Sequence, residues 1–119
     1  MKVLAPLAIT DALLTSSTLA EDEHAAWNSG TTYAAEDRVI YAHKVYESLK
    51  ASNTNKTPGA TASALWWIEV GPSNRWAMFD GSVSTASEDT TDIEVVITPA
   101  AVVDAVAIIS GIGSTVRVQ

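Results

Sequence analysis

The chain has 119 residues, no cysteine and a formal net charge of −7, from fourteen acidic and seven basic side chains. The absence of cysteine excludes a disulfide framework, a thiolate nucleophile and a Cys-ligated metal site. The negative charge disfavours nucleic-acid binding, because the chain and the phosphate backbone repel each other. With 47% hydrophobic residues, the chain is long enough for one ordinary domain or two very small ones.

The first element in chain order is a short apolar run that superficially resembles a secretory signal. Pro6 interrupts this run and Asp11 cuts it short, so we expect residues 1–25 to form an extended N-terminal arm and loop. Residues 2–10 would pair with a neighbouring sheet or subunit, Asp11 would cap a short helical turn, and residues 15–23 would be a polar loop. No segment approaches the roughly 20 apolar residues that a membrane-spanning helix needs.

The second element, residues 26–81, is rich in aromatic residues and is predicted to be a small antiparallel β domain. It contains all four Trp, all three Tyr and the single Phe. β-branched and aromatic runs flank residues 42–44, which predicts a hairpin with its turn there. Residues 66–70 are predicted to form a further strand, and residues 75–79 a strand or a close-packed extension.

The spacing W-x2-G-x2-Y-x3-D-x-V-x-Y-x4-Y-x-S begins at Trp27, and Trp67 follows it after a Pro-containing loop. This pattern resembles the small chitin-binding type of carbohydrate-binding module. The resemblance implies an all-β module in which aromatic rings stack on sugar rings. Two positions depart from the pattern. Glu36 stands where such modules usually have glycine, which makes a turn with positive φ more costly, and Leu49-Lys50 replaces an exposed aromatic pair.

The resemblance also indicates which side chains would contact a sugar and which would form the core. Neighbouring residues lie on opposite faces of a strand, so Trp66 and Trp67 should differ in exposure. The motif assigns Trp67 to the core and leaves Trp66 as an exposed stacking ring or, alternatively, a subunit contact. The predicted sugar contacts are stacking by Trp66, Tyr41 or Tyr46 and hydrogen bonding by Asp37 or Asn53. The predicted core consists of Trp27, Tyr33, Val39, Trp67, Trp76 and Phe79.

A second resemblance involves the two flanks of this segment. ITDALLTSS at residues 9–17 and GPSNRWAMFDG at residues 71–81 are similar to segments of tailed-bacteriophage and prophage virion proteins. In those proteins the aromatic module follows the N-terminal segment and continues into a β-rich domain. The resemblance implies a tail or tail-tip protein of the virion, made in the host cytoplasm, which contacts other tail subunits and forms a homo-oligomer.

The composition changes after the aromatic segment. Residues 82–91 are predicted to be a Ser/Thr-rich acidic linker, and residues 92–119 contain no aromatic residue and many Val and Ile. Apolar residues alternate from Ile93 to Ile97, which predicts a strand, whereas residues 102–110 could be helix or strand. Three strands cannot bury both faces of so apolar a sheet. We therefore expect residues 92–119 to belong to a larger or inter-subunit β-sandwich.

No motif in the sequence predicts catalysis. There is no G-x-S-x-G, phosphate-binding loop or metal-ligand cluster, and His24 and His43 are expected at ordinary surface or turn positions. The acidic residues between positions 80 and 104 predict a solvated face, with a docking patch or weak calcium site as the alternative. The sequence thus predicts an all-β, non-enzymatic protein without cofactor or nucleic-acid partner. Two functions stay open: a tail-tip or adaptor subunit for assembly and host attachment, and a module that recognises host-surface glycan.

Overall fold

The structure, a computed structural model, describes residues 5–82, 84–103 and 105–107. Within these residues the chain forms short strands in small antiparallel sheets, one 3-10 turn and one four-residue α-helix. The predicted all-β class is confirmed. No helix among the described residues is long and apolar enough to cross a membrane. The elements in chain order are β1 (Leu14–Ser17), β2 (Thr32–Tyr33), β3 (Arg38–Tyr41), β4 (Lys44–Ser48), β5 (Asn53–Thr54), the 3-10 turn (Thr61–Ser63), β6 (Trp67–Pro72), α1 (Asn74–Ala77) and β7 (Val95–Ile97).

The centre of the molecule is a three-stranded antiparallel sheet in the order β3-β4-β6. β3 and β4 form the predicted hairpin, but its turn has only two residues, because Lys44 already pairs with Tyr41. The turn residues Ala42 and His43 have φ of 48° and 65°. Positive φ at both positions gives a two-residue turn the twist of the strands it joins. Since neither residue is glycine or asparagine, contacts elsewhere must stabilise this turn.

The main core lies on one face of this sheet. Four buried side chains form it: Tyr33, Val39, Tyr46 and Trp67. The rings of Tyr33 and Trp67 pack edge to face with their centroids 5.3 Å apart, an arrangement that contributes about 0.5–1.5 kcal/mol beyond burial. The indole N–H of Trp67 donates a hydrogen bond to the Lys56 carbonyl at 2.6 Å. Trp27, which the sequence also places in the core, is only partly buried against this cluster.

β2 and β5 form a short ladder next to the core. Asn53, the first residue of β5, is 0% exposed. Its side-chain amide donates to the Ser48 hydroxyl at 2.9 Å and to the Trp66 carbonyl at 3.3 Å. Asn53 therefore links the end of β4 to the start of β6 from inside the molecule.

The segment after β6 differs from the predicted strand at residues 75–79, because α1 occupies most of it. Two carboxylates from the N-terminal region stabilise the start of this helix. The Ser73 hydroxyl donates to Glu21 and the Asn74 backbone N–H donates to Glu23, both at 2.6 Å. Acceptors at this end satisfy N–H groups that have no partner within a helix. Trp76 is buried in α1, and half-buried Phe79 packs edge to face against it.

A separate two-stranded sheet pairs β1 with β7 in antiparallel register. The predicted polar loop at residues 15–23 is therefore wrong in its first part, because β1 continues to Ser17. Leu13 and Leu14 donate backbone hydrogen bonds to the Thr10 carbonyl, which gives a single turn near Asp11. Residues 5–10 of the expected arm contain no strand. The apolar strand near Ile97 thus has a pairing partner within its own chain.

Residues 82 and 84–91, in the predicted linker, have no strand or helix. The linker is nevertheless attached to the central unit, because the Ser87 hydroxyl donates to the Asn74 carbonyl and the Glu88 backbone N–H donates to the Asn74 side chain. Residues 102–103 and 105–107 also lack regular structure. Residues 102–110 are predicted as helix or strand, and the remaining ones, residues 104 and 108–110, lie outside the described residues.

Candidate ligand-binding surface

The best-defined surface feature is an indole ring with two lysine side chains over it. Trp66, directly before β6, is partly buried against the main core. The ammonium nitrogens of Lys50 and Lys56 lie 5.3 Å and 5.4 Å from the centroid of its ring. At such distances a cation is attracted to the face of an aromatic ring. We call Trp66, Lys50 and Lys56 the Trp66 platform.

Hydrogen bonds to three carbonyl groups fix the backbone of the Trp66 platform. The Trp66 carbonyl accepts from the backbone N–H of Leu49 at 2.9 Å. The Lys50 carbonyl accepts from the side chain of the last residue of β4 at 2.9 Å, and the Lys56 carbonyl accepts from the buried indole of Trp67. The backbone positions are therefore set before any ligand binds, while the long lysine side chains keep their rotamer freedom.

The two platform lysines differ from their neighbours in charge pairing. Lys44 lies 2.9 Å from the carboxylate of Glu69, and Arg38 lies 2.8 Å from that of Glu47. Lys50 and Lys56 form no salt bridge with any described residue. The ammonium groups of Lys50 and Lys56, which have no acidic partner among the described residues, therefore lie over one ring, although the protein as a whole is acidic.

A cleft of about 390 Å³ lies over the core-facing side of β4 and β6. Burial, and after it the charge of Glu69, raises the pKa of Tyr46, and a hydrogen bond to Glu69 raises the pKa of Lys44. The cleft thus presents the neutral hydroxyl of Tyr46 and the charged ammonium group of Lys44, both close to the carboxylate of Glu69. Its lining residues are Lys44, Tyr46, Gly59, Ala60, Thr61, Ala64, Trp67 and Glu69.

The structure separates the predicted sugar contacts. Trp66 is partly exposed, and Tyr41 is 37% exposed with its ring packed edge to face on Trp27. Tyr46 and Asn53 are only 7% and 0% exposed, which corrects the predictions that the Tyr46 ring stacks on a sugar and that Asn53 hydrogen-bonds its hydroxyl groups. Tyr46 is directed into the core because it pairs with inward-facing Val39 across the hairpin. The side-chain nitrogen of Asn53 is occupied by its internal hydrogen bonds, and its Oδ1 is buried without a partner among the described residues.

Asp37 is exposed, but its carboxylate stabilises a turn. Its Oδ2 accepts a hydrogen bond from the backbone N–H of Ala34 at 2.7 Å. The neighbouring Glu36 has φ of 71°, the conformation expected at the position where glycine is usual. Of the five predicted sugar contacts, Trp66 and Tyr41 are therefore those whose rings reach solvent.

The sequence reasoning missed the contribution of the two platform lysines. In the sequence Lys50 stands out only as a replacement for an aromatic residue, and Lys56 lies in a loop without a motif. A usable signal was nevertheless present. The chain has only seven basic residues, and Lys44, Lys50 and Lys56 follow one another within the aromatic segment.

A second charged cluster joins the hairpin turn to the N-terminal region. His43 Nε2 lies 2.9 Å from Asp11, and Nδ1 lies 3.1 Å from Glu21. The imidazole also packs on Trp76 with a centroid separation of 4.4 Å. Burial by itself lowers the pKa of His43, but the hydrogen bonds and charges of the two carboxylates outweigh it and raise the pKa overall. In the described part of the chain, no group of three or more His, Cys, Asp or Glu residues could hold a metal ion.

Comparisons with protein-family models, characterised proteins and solved structures give no match to this chain. Its function must therefore be inferred from the residues and the geometry described above.

Proposed function

We propose that this protein is a non-enzymatic structural subunit of a bacteriophage tail, which assembles through the free edge of its central sheet. The supporting observation is the exposure of β6. This strand is outermost in the sheet, and no other described strand pairs with its free side. Ile68 and Val70 on β6 are each 50% exposed, and Leu65 before it is 73% exposed. An outer strand with apolar side chains is a common place for another chain to add.

A second copy of the chain is the partner that we propose for β6. An antiparallel outer strand can pair with its own copy about a two-fold axis, which buries the same residues on both sides. Such pairing would shield Ile68 and Val70 and satisfy the free backbone groups of the edge. The virion setting is supported by the resemblance of residues 9–17 and 71–81 to phage tail proteins.

Sedimentation velocity over a range of protein concentrations tests the assembly step. The double variant Ile68→Lys, Val70→Lys places charges on the outer strand and should abolish self-association. Leu7→Lys is the matched control, because Leu7 is also exposed, at 54%, but lies outside the sheets. A wild-type chain that is monomeric at every concentration, or a double variant that still self-associates, would contradict assembly through β6.

The tail location has a separate test. Phage particles purified by density gradient are analysed by mass spectrometry and then labelled with an antibody against this chain. We expect the chain in the particles and the label on the tail. Recovery of the chain only from the soluble host fraction would contradict a virion role.

Recognition of a host-surface glycan is a second candidate function, supported by the Trp66 platform. Its partly exposed ring lies on a fixed backbone, and an indole can stack on the apolar face of a pyranose. Pull-down with chitin, peptidoglycan and lipopolysaccharide tests this function. Binding that is lost in a folded Trp66→Ala variant supports it. Failure of the wild-type chain to bind any of the three materials contradicts it.

A further inference from the structure

The Trp66 platform is chemically different from a bare stacking ring, because two ammonium groups lie over the indole. We propose that the platform binds an acidic sugar residue, in which a carboxylate or phosphate group is attached to the stacked ring or to its neighbour in the glycan chain. This inference rests on the second candidate function and names the class of glycan.

The first step concerns what a ligand must displace. An exposed ammonium group gains about 0.5–1 kcal/mol from the face of an aromatic ring. A neutral sugar that stacks on Trp66 would remove this interaction for Lys50 and Lys56 and would offer no charge in return. An acidic sugar would also displace the ammonium groups from the ring face, but its anionic group would pair with them. The platform therefore favours the charged ligand over its neutral analogue.

The second step concerns the free state. In the free state two ammonium groups lie near one ring, and each can form a charge-assisted hydrogen bond with an anion that binds there. Lys44 and Arg38 already have carboxylate partners, so they are less available to an added anion. Lys50 and Lys56 have no such partner among the described residues. They provide positive charge on the surface of a chain whose net charge is −7.

The third step separates an acidic sugar from a nucleic acid. A tryptophan flanked by lysines can also stack a base and contact a phosphate group. A polynucleotide, however, brings one charge per nucleotide, and each of them is repelled by the acidic chain. A glycan that carries a single anionic group, placed at the platform when it binds, avoids most of this repulsion. An acidic saccharide is therefore the ligand that we expect, and an oligonucleotide is included in the test.

Titration calorimetry with matched pairs of probes tests the proposal. Aldotetraouronic acid, a xylotriose that carries a single uronic acid residue, is compared with neutral xylotetraose, and phosphopentamannose with neutral mannopentaose, so that the two arms distinguish carboxylate from phosphate. At low ionic strength we expect at least one acidic probe to bind about tenfold more tightly than its neutral partner, equivalent to about 1.4 kcal/mol. High salt should reduce this preference, because exposed charges are screened.

Three variants assign the binding to the platform. Trp66→Ala should abolish binding of both members of a pair. The double variant Lys50→Gln, Lys56→Gln should lower the affinity for the acidic probe to that for its neutral partner. Arg38→Gln is the matched control and should change affinity less than about twofold, because Arg38 is already paired with Glu47. Circular dichroism confirms that each variant is folded.

The proposal is overturned by equal affinity for acidic and neutral probes, by failure of all probes to bind, or by full retention of the acidic preference in the double variant. Tighter binding of octathymidylate than of either acidic sugar would also overturn it and would assign the platform to nucleic acid. Binding of chitin without acidic preference would leave the second candidate function standing and remove only this inference. Self-association through β6 is measured independently of all these outcomes.

Discussion

The central sheet and the β1–β7 pair contain similar strand-forming residues but are stabilised differently. In the central sheet, Val39 and Trp67 are 1% and 5% exposed. In the β1–β7 pair, Val96 and Ile97 are 40% and 36% exposed, and Leu14 is the one buried side chain of the two strands. A two-stranded ladder on its own is at best marginally stable in water. Strand propensity therefore determines where the chain pairs, whereas the buried aromatic rings determine how firmly it is held.

The largest expected effect comes from Trp67→Ala, which removes the central ring of the main core. We expect the free energy of unfolding to fall by about 3–5 kcal/mol, because a large cavity forms and the hydrogen bond to Lys56 is lost. Trp66→Ala is the matched control in the adjacent position and should cost less than half as much. Urea unfolding followed by circular dichroism measures both. Equal losses would show that Trp66 belongs to the core rather than to a binding surface.

Gly59→Ala should give the next largest effect. Gly59 has φ of +75°, and an added Cβ would lie 2.8 Å from the Tyr46 hydroxyl. The backbone strain and the contact with a buried ring should together cost about 2 kcal/mol. Gly71→Ala is the control, since nothing lies within 4 Å of the position that its added methyl group would take, and it should change stability by less than about 0.5 kcal/mol. Similar unfolding midpoints for the two variants would contradict the close packing of the Gly59 loop against Tyr46.

Local patterns were sufficient to predict the all-β class and the hairpin. Aromatic and β-branched runs on either side of residues 42–44 identified β3 and β4, because strand pairing across a short turn depends mainly on neighbouring residues. Alternation along a strand also predicted that adjacent Trp66 and Trp67 would differ in exposure. In the structure Trp67 is buried and Trp66 is partly exposed.

Features that depend on distant partners could not be predicted in this way. α1 begins where it does because Glu21 and Glu23, about fifty residues earlier, accept hydrogen bonds at its start. Asn53 has a side chain that can hydrogen-bond a sugar, but its hydrogen bonds to Ser48 of β4 and to the Trp66 carbonyl place it inside the molecule. The meeting of Lys50 and Lys56 at one ring depends on the path of the intervening loop, which no periodicity specifies.

The third expected effect concerns the His43 cluster, which connects the two regions because Asp11 and Glu21 lie on either side of β1. The pKa of His43 is raised in the folded state, so its charged form is favoured by folding. The stabilisation is therefore complete below the unfolded pKa of about 6.5 and is lost as the pH rises through the folded pKa. We expect the melting temperature to fall as the pH rises from about 6.5 through the folded pKa of His43.

His43→Asn should remove this part of the pH dependence, because asparagine tolerates the positive φ of the turn but does not titrate. Thermal unfolding of both proteins across the pH range measures the difference. A wild-type chain that becomes more stable over this range, or a variant with an unchanged slope, would show that the carboxylates of Asp11 and Glu21 do not hold a charged imidazole.

The smallest effect is expected in the β1–β7 pair, where Ile97→Thr should change the global free energy of unfolding by less than about 0.5 kcal/mol. The side chain is partly exposed and lies outside the main core, so its truncation leaves no large cavity. Amide hydrogen exchange provides the sharper measurement. Amides of β1 and β7 should exchange through local opening at a lower free energy than those of β4, because fewer buried apolar contacts must be broken. If the two sets were equally protected, both regions would unfold as one cooperative unit. Because the His43 cluster joins the two regions, His43→Asn should lower the protection of β1 and β7 more than that of β4.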